Sequence, residues 1–205
     1  VLLEDEQFLL INKPSGLLSL SGKNPLNRDS VHYRLVQQWP DASLVHRLDF
    51  GTSGIMLLAL NKTANANIMR QFQARTVAKT YIALLYGHLD NDEGIIDAPI
   101  AKDSQNFPLV KVCHDTGKQA RSQYKVVEYL QNPPTTRVQF TPLTGRTHQL
   151  RIHSREIGHP IVGCDLYGSE QTHSMADRLM LHANSLEFDH PVSGERIVAQ
   201  ANCPF

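Results

Sequence analysis

Ser43-Leu44-Val45-His46-Arg47-Leu48-Asp49-Phe50-Gly51-Thr52-Ser53-Gly54-Ile55-Met56-Leu57-Leu58-Ala59-Leu60 reads as strand, turn, strand. Residues 44–48 and the unbroken apolar run 55–60 are the two strands, and Gly51 with Thr52-Ser53-Gly54 is the turn. In an extended chain Arg47 and Asp49, two positions apart, point to the same face. A carboxylate at the lip between two buried strands is costly to place unless a cation answers it. Asp49 is thus a candidate active-site acid. A strand-end aspartate capping the Asp49-Phe50-Gly51-Thr52 turn accounts for it equally well.

Strand signals continue outward from this stretch. Residues 8–11 end at a Pro14/Gly16 turn, and residues 80–86 end at Gly87. Residues 95–100, 109–113, 120–130 and 136–143 follow, several with alternating apolar positions. Residues 179–181, 185–188 and 196–199 close the chain, the last two around a turn at residues 191–194. Three helices interrupt the strands. Ser30 caps one with Val31, Leu35 and Trp39 on a face, stopped by Pro40; Thr63 caps a second with Ala64, Ile68 and Phe72. A third, residues 147–157, stops at Gly158 and Pro160. It carries Leu150, Ser154 and Ile157 inward and His148, Arg151 and Arg155 as a cationic stripe. Strands dominate and helices fall irregularly, which predicts α+β with a mixed, mainly antiparallel sheet. The 205 residues, 41% apolar, suffice for one domain, 1–205, with room for two sub-lobes.

Twenty basic and twenty acidic residues cancel, but their distribution is uneven. Residues 50–89 contain no acid and hold Lys62, Arg70, Arg75 and Lys79. Residues 129–155 contain none and hold Arg137, Arg146, Arg151 and Arg155. Either these charges are scattered and solvated, or they form a one-sided basic face of the kind a phosphate backbone meets. No apolar run reaches the ~20 residues of a membrane helix. Glu4, Asp5 and Glu6 break the apolar start, which excludes a signal peptide reading. Three separated cysteines without a CxxC pair fit reduced thiols in the cytoplasm. The ten histidines show no zinc spacing, Ser53 sits in no nucleophile elbow, and no Gly-rich phosphate loop is present. His182 in Leu181-His182-Ala183 reads as a structural hydrogen-bonding residue. Tyr81, after Lys79-Thr80, is either core packing or a base-stacking residue with a hydroxyl near a ring atom.

Residues 46–54, Lys79-Thr80-Tyr81, the Thr144-Gly145-Arg146-Thr147-His148-Gln149-Leu150-Arg151-Ile152-His153 block, Leu181-His182-Ala183 and the opening Asn12-Lys13-Pro14-Ser15-Gly16-Leu17-Leu18 form one set of motifs. Together they resemble the RluA family of pseudouridine synthases. The resemblance covers nearly the whole chain in order and spacing. It implies the pseudouridine synthase fold, with a catalytic cleft across the sheet. It also implies that Asp49 attacks or deprotonates the ribose while the uracil glycosidic bond breaks. Tyr81 would pack on the uracil and assist at C5, and Arg151 would pair with the aspartate. Arg47 would attend the gap left by the flipped nucleotide. Ile82 and Leu181 would be apolar walls, and Arg146 and His148 further substrate-binding residues. No metal or other cofactor is called for.

Residues 110–113, 116–118 and 124–129 are similar to a dual-substrate branch of the family. That branch acts on a 23S rRNA hairpin and the anticodon stem-loop of tRNA, so structured RNA is the expected partner of a monomer. The chain does not begin with Met, so some N-terminal residues are expected to be missing. A dozen residues precede Lys13, so no S4 RNA-binding module is expected. Residues 21–29, with Lys23 and Arg28, are either a flexible RNA-contacting loop or a solvated one. Three rival readings are a non-catalytic RNA-binding module, an N-glycoside hydrolase releasing free uracil, and the same isomerisation at another RNA site.

Overall fold

The computed structural model describes residues 1–205. In chain order the elements are β1 (Leu3–Glu4), β2 (Phe8–Lys13), α1 (Val31–Leu35), β3 (Ser43–Leu44), β4 (Ser53–Ala59), α2 (Lys62–Ala74), β5 (Ala78–Tyr86) and β6 (Glu93–Asp97). Then come β7 (Ile100–Lys102), β8 (Val110–Val112), β9 (Arg121–Gln131), β10 (Pro134–Pro142), α3 (Gln149–Glu156), α4 (Glu170–Ser174), β11 (Leu181–Asp189) and β12 (Arg196–Gln200). The chain divides into two compact units, Val1–Lys79 with His182–Pro204, and Thr80–Leu181 with Phe205.

In the first unit β4 is the central strand. All seven of its residues are buried, which is why its sequence is a continuous apolar run rather than an alternating one. It pairs antiparallel with β2, Phe8 opposite Ala59 through Lys13 opposite Gly54. At one end it also meets β3, and at the other it runs parallel to β11, with His182 opposite Ser53. That parallel pair makes the sheet mixed; β1 adds to β2 and β12 to β11. Ala64 and Ile68 are the buried positions of α2.

The second unit is an antiparallel meander in the order β5-β10-β9-β6, beside the separate β7–β8 hairpin. Its core joins Ala83, Leu85, Val138 and Phe140 of the sheet to Leu150 and Ile152 of α3. The fold is therefore α+β with a mostly antiparallel sheet, as the strand-rich pattern predicts.

Several sequence expectations are corrected. Residues 45–48 are not a strand, because β3 ends at Leu44. Helix α1 ends at Leu35; Trp39 lies beyond it and its indole N–H donates to Glu4 Oε1 at 2.9 Å. The cap of α2 is Asn61, whose side chain accepts from Ala64 N at 2.9 Å, and not Thr63. Residues 179–181 and 185–188 belong largely to one strand, β11. The stretch 21–29 is a loop, as the sequence suggests, hydrogen-bonded around a 3-10 turn, Pro25–Asn27. The loop is closed by Gly22 N to Asn27 O at 2.8 Å and by Ser21 Oγ to Arg28 O at 2.6 Å.

Candidate active site

Asp49 lies on an irregular loop that two buried side chains, Val45 and Leu48, pin to the first unit. The ladder stops here because an imidazole takes a strand donor: His46 Nε2 accepts from Leu57 N at 3.0 Å. Ser19 Oγ clasps the Leu48 peptide from both sides, donating to its carbonyl at 2.6 Å and accepting from its N–H at 3.1 Å. Asp49 O accepts from Thr52 N at 3.2 Å and closes the turn. Asp49 is half-buried and Arg47 exposed. The two share one loop, but the strand alternation that would align them does not exist.

The next two peptides are held by the Asn12-Lys13-Pro14-Ser15-Gly16 segment. Gly16 N donates to Phe50 O at 2.9 Å and Ser15 Oγ to Gly51 O at 2.7 Å. Lys13 is fully buried, and its ammonium donates to Pro14 O at 2.9 Å, Leu17 O at 2.7 Å and Phe50 O at 3.2 Å. Three donors meet three carbonyls, which a buried ammonium needs to offset its desolvation. Spacing rules did not single out Lys13; its signal is a lysine closing an apolar strand before Pro14.

The far end of the loop is fixed as firmly. His182 is buried, and its Nε2 lies 3.0 Å from Ala201 O, an acceptor only. Nε2 therefore carries the proton, and Nδ1 accepts from Ser53 Oγ at 2.8 Å. Gly54 has φ +115, and a Cβ there would meet Ala183 O at 2.2 Å, so the close approach of β4 to β11 requires glycine. The structural reading of His182 agrees with this geometry.

His46 also stacks on Phe72, ring centroids 5.1 Å apart, and Lys79 Nζ lies 5.7 Å from the same ring. Desolvation and, second, the Lys79 charge push the imidazole down to about 3. The unfolded chain, with an ordinary histidine, then binds more protons than the folded one between about pH 3 and 6.5. This part of the stability is complete above pH 6.5. It falls as the solution is acidified, by up to about 1.4 kcal/mol per pH unit. Urea unfolding of wild type and His46→Gln from pH 7 to pH 4 tests it. The variant's amide oxygen can take the Leu57 N–H without titrating, so its stability falls less steeply by up to one proton.

In the second unit Tyr81 stands opposite Phe140 and packs on the core. Alternation puts it on the face of Ala83 and Leu85. Ile82, opposite Gln139, points to the other face, so Tyr81 and Ile82 do not line one surface of this sheet. Leu181 is buried in the core of the same unit.

Helix α3 buries every residue from Gln149 to Ser154. The expected cationic stripe is thus not a solvent face: Arg155 is exposed, His148 half-buried and Arg151 buried. The Arg151 guanidinium pairs with Asp165, lies 3.4 Å from Cys164 Sγ, and sits 5.4 Å from the centroid of the Tyr167 ring. Tyr167 Oη accepts from Val110 N at 2.9 Å and shares a hydrogen bond with His148 Nδ1 at 2.8 Å. His148 occupies the left-handed region, φ 53, at the helix N-cap, a conformation that costs a side-chain-bearing residue about 1–2 kcal/mol. Gln149 supports the helix start with all four hydrogen-bonding sites. Its Oε1 accepts from Thr144 Oγ1 and Arg146 N, and its Nε2 donates to Arg121 O and Ser122 Oγ. Arg146 Nε donates to Gln119 O at 3.0 Å. Asp165 and Tyr167, neither picked from the sequence, thus orient Arg151; their link is spatial, with no periodicity to betray it. No group of three His, Cys, Asp or Glu is placed to hold a metal, and no helix is long and apolar enough to cross a membrane.

The family model for RNA pseudouridylate synthases matches residues 7–156. The chain belongs to that family and is an RNA-modifying isomerase. It is 47% identical over 194 residues to the dual-specificity RNA pseudouridine synthase RluA of Yersinia pestis, covering 95% of this chain and 94% of the relative. It is 43% identical over 205 residues to that of Escherichia coli K12, covering 100% of this chain and 93% of the relative. Among solved structures it is similar to human RNA Pseudouridylate Synthase Domain Containing 1. That match has a TM-score of 0.84 and 31% identity, over 100% of this chain and 83% of the other. The resemblance drawn from the motif blocks is thereby upheld for family and fold.

Proposed function

We propose that the chain converts specific uridines to pseudouridine in two RNAs, a 23S rRNA hairpin and the anticodon stem-loop of tRNA. It would do so in the cytoplasm, as a monomer whose residues 1–205 act as one catalytic domain. The observation that carries this is similarity across the full chain to relatives named as dual-specificity RNA pseudouridine synthases. The three free cysteines suit a reducing compartment.

The reaction is an isomerisation. The C1′–N1 bond breaks, uracil turns, a C1′–C5 bond forms, C5 loses its proton and N1 gains one. The uridine must leave the stack to be reached. Asp49 starts bond breaking as nucleophile or base at the ribose. Arg151, fixed by Asp165 and Tyr167, supplies positive charge to the reacting centre, and Tyr81 holds the uracil with its hydroxyl assisting at C5. Arg47 supports the gap in the RNA, and Arg146, His148, Ile82 and Leu181 complete the substrate contacts; Ile82 acts from the opposite face of β5 to Tyr81.

Mapping pseudouridine in total RNA from cells with and without the gene tests the substrate assignment: loss at one 23S site and in tRNA anticodon loops is expected. Loss elsewhere overturns it, and free uracil in a turnover assay would indicate hydrolysis instead. Tyr81→Phe keeps the ring against the core and removes only the hydroxyl. In single-turnover measurements its rate is expected to fall about 100-fold, with little change in RNA affinity.

A further inference from the structure

We propose that the β7–β8 hairpin is a docking surface for the RNA substrate, with Phe107 as a base-stacking platform and Lys111 and Arg155 as phosphate contacts. This deepens the reading that the substrate is structured RNA and rests on it. The hairpin pairs Ile100 with Val112 and Lys102 with Val110. Its connecting loop is closed on itself. Asp103 N donates to Leu109 O at 3.0 Å, Leu109 N to Asn106 O at 2.7 Å, and Asn106 Nδ2 to Asp103 Oδ2 at 2.9 Å. On this ordered loop Phe107 is 94% exposed. A large apolar ring held outward gains nothing from folding, and its fixed backbone lowers the entropy cost of stacking on a partner.

Below the tip, Lys111, His114 and Arg155 are exposed around a hollow floored by Val112 and Ile152, with Glu156 also lining it. Arg155 comes from α3, so the hairpin and the helix present their cations together. The foot of the hairpin is tight: Gly117 N donates to Cys113 O at 2.9 Å, and a Cβ on Gly117 would meet that oxygen at 2.2 Å. Residues 100–118 carry Lys102, Lys111 and Lys118 against Asp103 and Asp115. The Asp103 carboxylate is engaged inside its own loop, by Asn106 Nδ2 and by Gln105 N. An exposed aromatic on the same hairpin as exposed cations suits unpaired nucleotides, which offer both a π-face and a backbone charge. An acidic peptide would use the cations and leave the ring idle.

The test is filter retention of a tRNA transcript and of a 23S rRNA hairpin across a range of KCl concentrations. Phe107→Ala is expected to weaken retention about 5- to 10-fold, and Phe107→Tyr to restore it. The double variant Lys111→Ala, Arg155→Ala is expected to lower the slope of log affinity against log salt by about 1.5. All three positions are exposed, so folding is not at stake. Affinity within about twofold of wild type for Phe107→Ala, or an unchanged salt slope in the double variant, overturns the proposal. Pseudouridine formation by the wild type is scored separately. Variant losses of affinity without wild-type turnover would uphold the docking surface and sink the substrate assignment.

Discussion

Asp49→Asn is expected to lower pseudouridine formation by at least about ten-thousand-fold, the scale on which loss of a catalytic nucleophile or base is felt, while RNA affinity stays within a few-fold of wild type. The amide is nearly the size of the carboxylate but can neither attack C1′ nor accept a proton. Backbone groups hold the course of the loop around it. Ser19 holds the Leu48 peptide, the Asp49 carbonyl closes the turn to Thr52, and Lys13 and Gly16 hold Phe50 O. A folded, RNA-binding and inactive protein is therefore the expected result, measured by single-turnover tritium release from 5-³H-uridine RNA and by filter binding. Asp49→Ala should behave alike. Wild-type rates in Asp49→Asn would falsify a covalent or general-base role and leave Asp49 as a turn residue.

The contrast between Asp49 and Arg151 shows what a linear reading can see. Strand β4 is legible because a central strand buried on both faces must be apolar at every position, and residues 55–59 are. The Ser30 cap of α1 is legible because its oxygen meets an N–H three residues on. Residues 45–48 mislead because Val45 and Leu48 are buried as plugs under a loop, and an apolar residue looks the same in either role. The cap of α2 slips by two positions because Asn61 and Thr63 both suit the task, and only the backbone turn decides. The burial of Arg151 is invisible from its i, i+3, i+7 spacing. What accommodates its charge, Asp165 and the Tyr167 ring, lies beyond the helix, and Tyr167 is itself held by Val110. Candidate site residues recognisable by type can thus be proposed from the motif blocks. The residues that hold them, Lys13, Ser19, Asp165 and Tyr167, act across separations no periodicity encodes.

Lys13→Met is expected to destabilise the protein by about 2–4 kcal/mol and to lower its thermal midpoint by roughly 6–12 °C. Two effects oppose each other. Methionine fits much of the volume and removes the cost of burying an ammonium. It also strips the donor from Pro14 O and Leu17 O, whereas Phe50 O keeps Gly16 N. The buried Leu17 O without a donor costs about 1–3 kcal/mol and the part-buried Pro14 O adds to it, and that exceeds the relief because the ammonium was already matched by three acceptors. The loss reaches activity as well. Lys13 joins the strand end of β2 to the residue after Asp49, so its removal loosens the peptide that aims the carboxylate. A misplacement of about 1 Å costs on the order of 100-fold in rate. Turnover measured well below the melting transition, where the variant is folded, should therefore fall further than the unfolded fraction accounts for. Lys13→Arg should not restore it, because a planar guanidinium cannot converge on three carbonyls arranged around a single point. Differential scanning calorimetry with single-turnover rates at 25 °C decides the matter. A thermal midpoint within about 2 °C of wild type, beyond the reach of a 2 kcal/mol loss, would show that Pro14 O and Leu17 O find water when the lysine is gone.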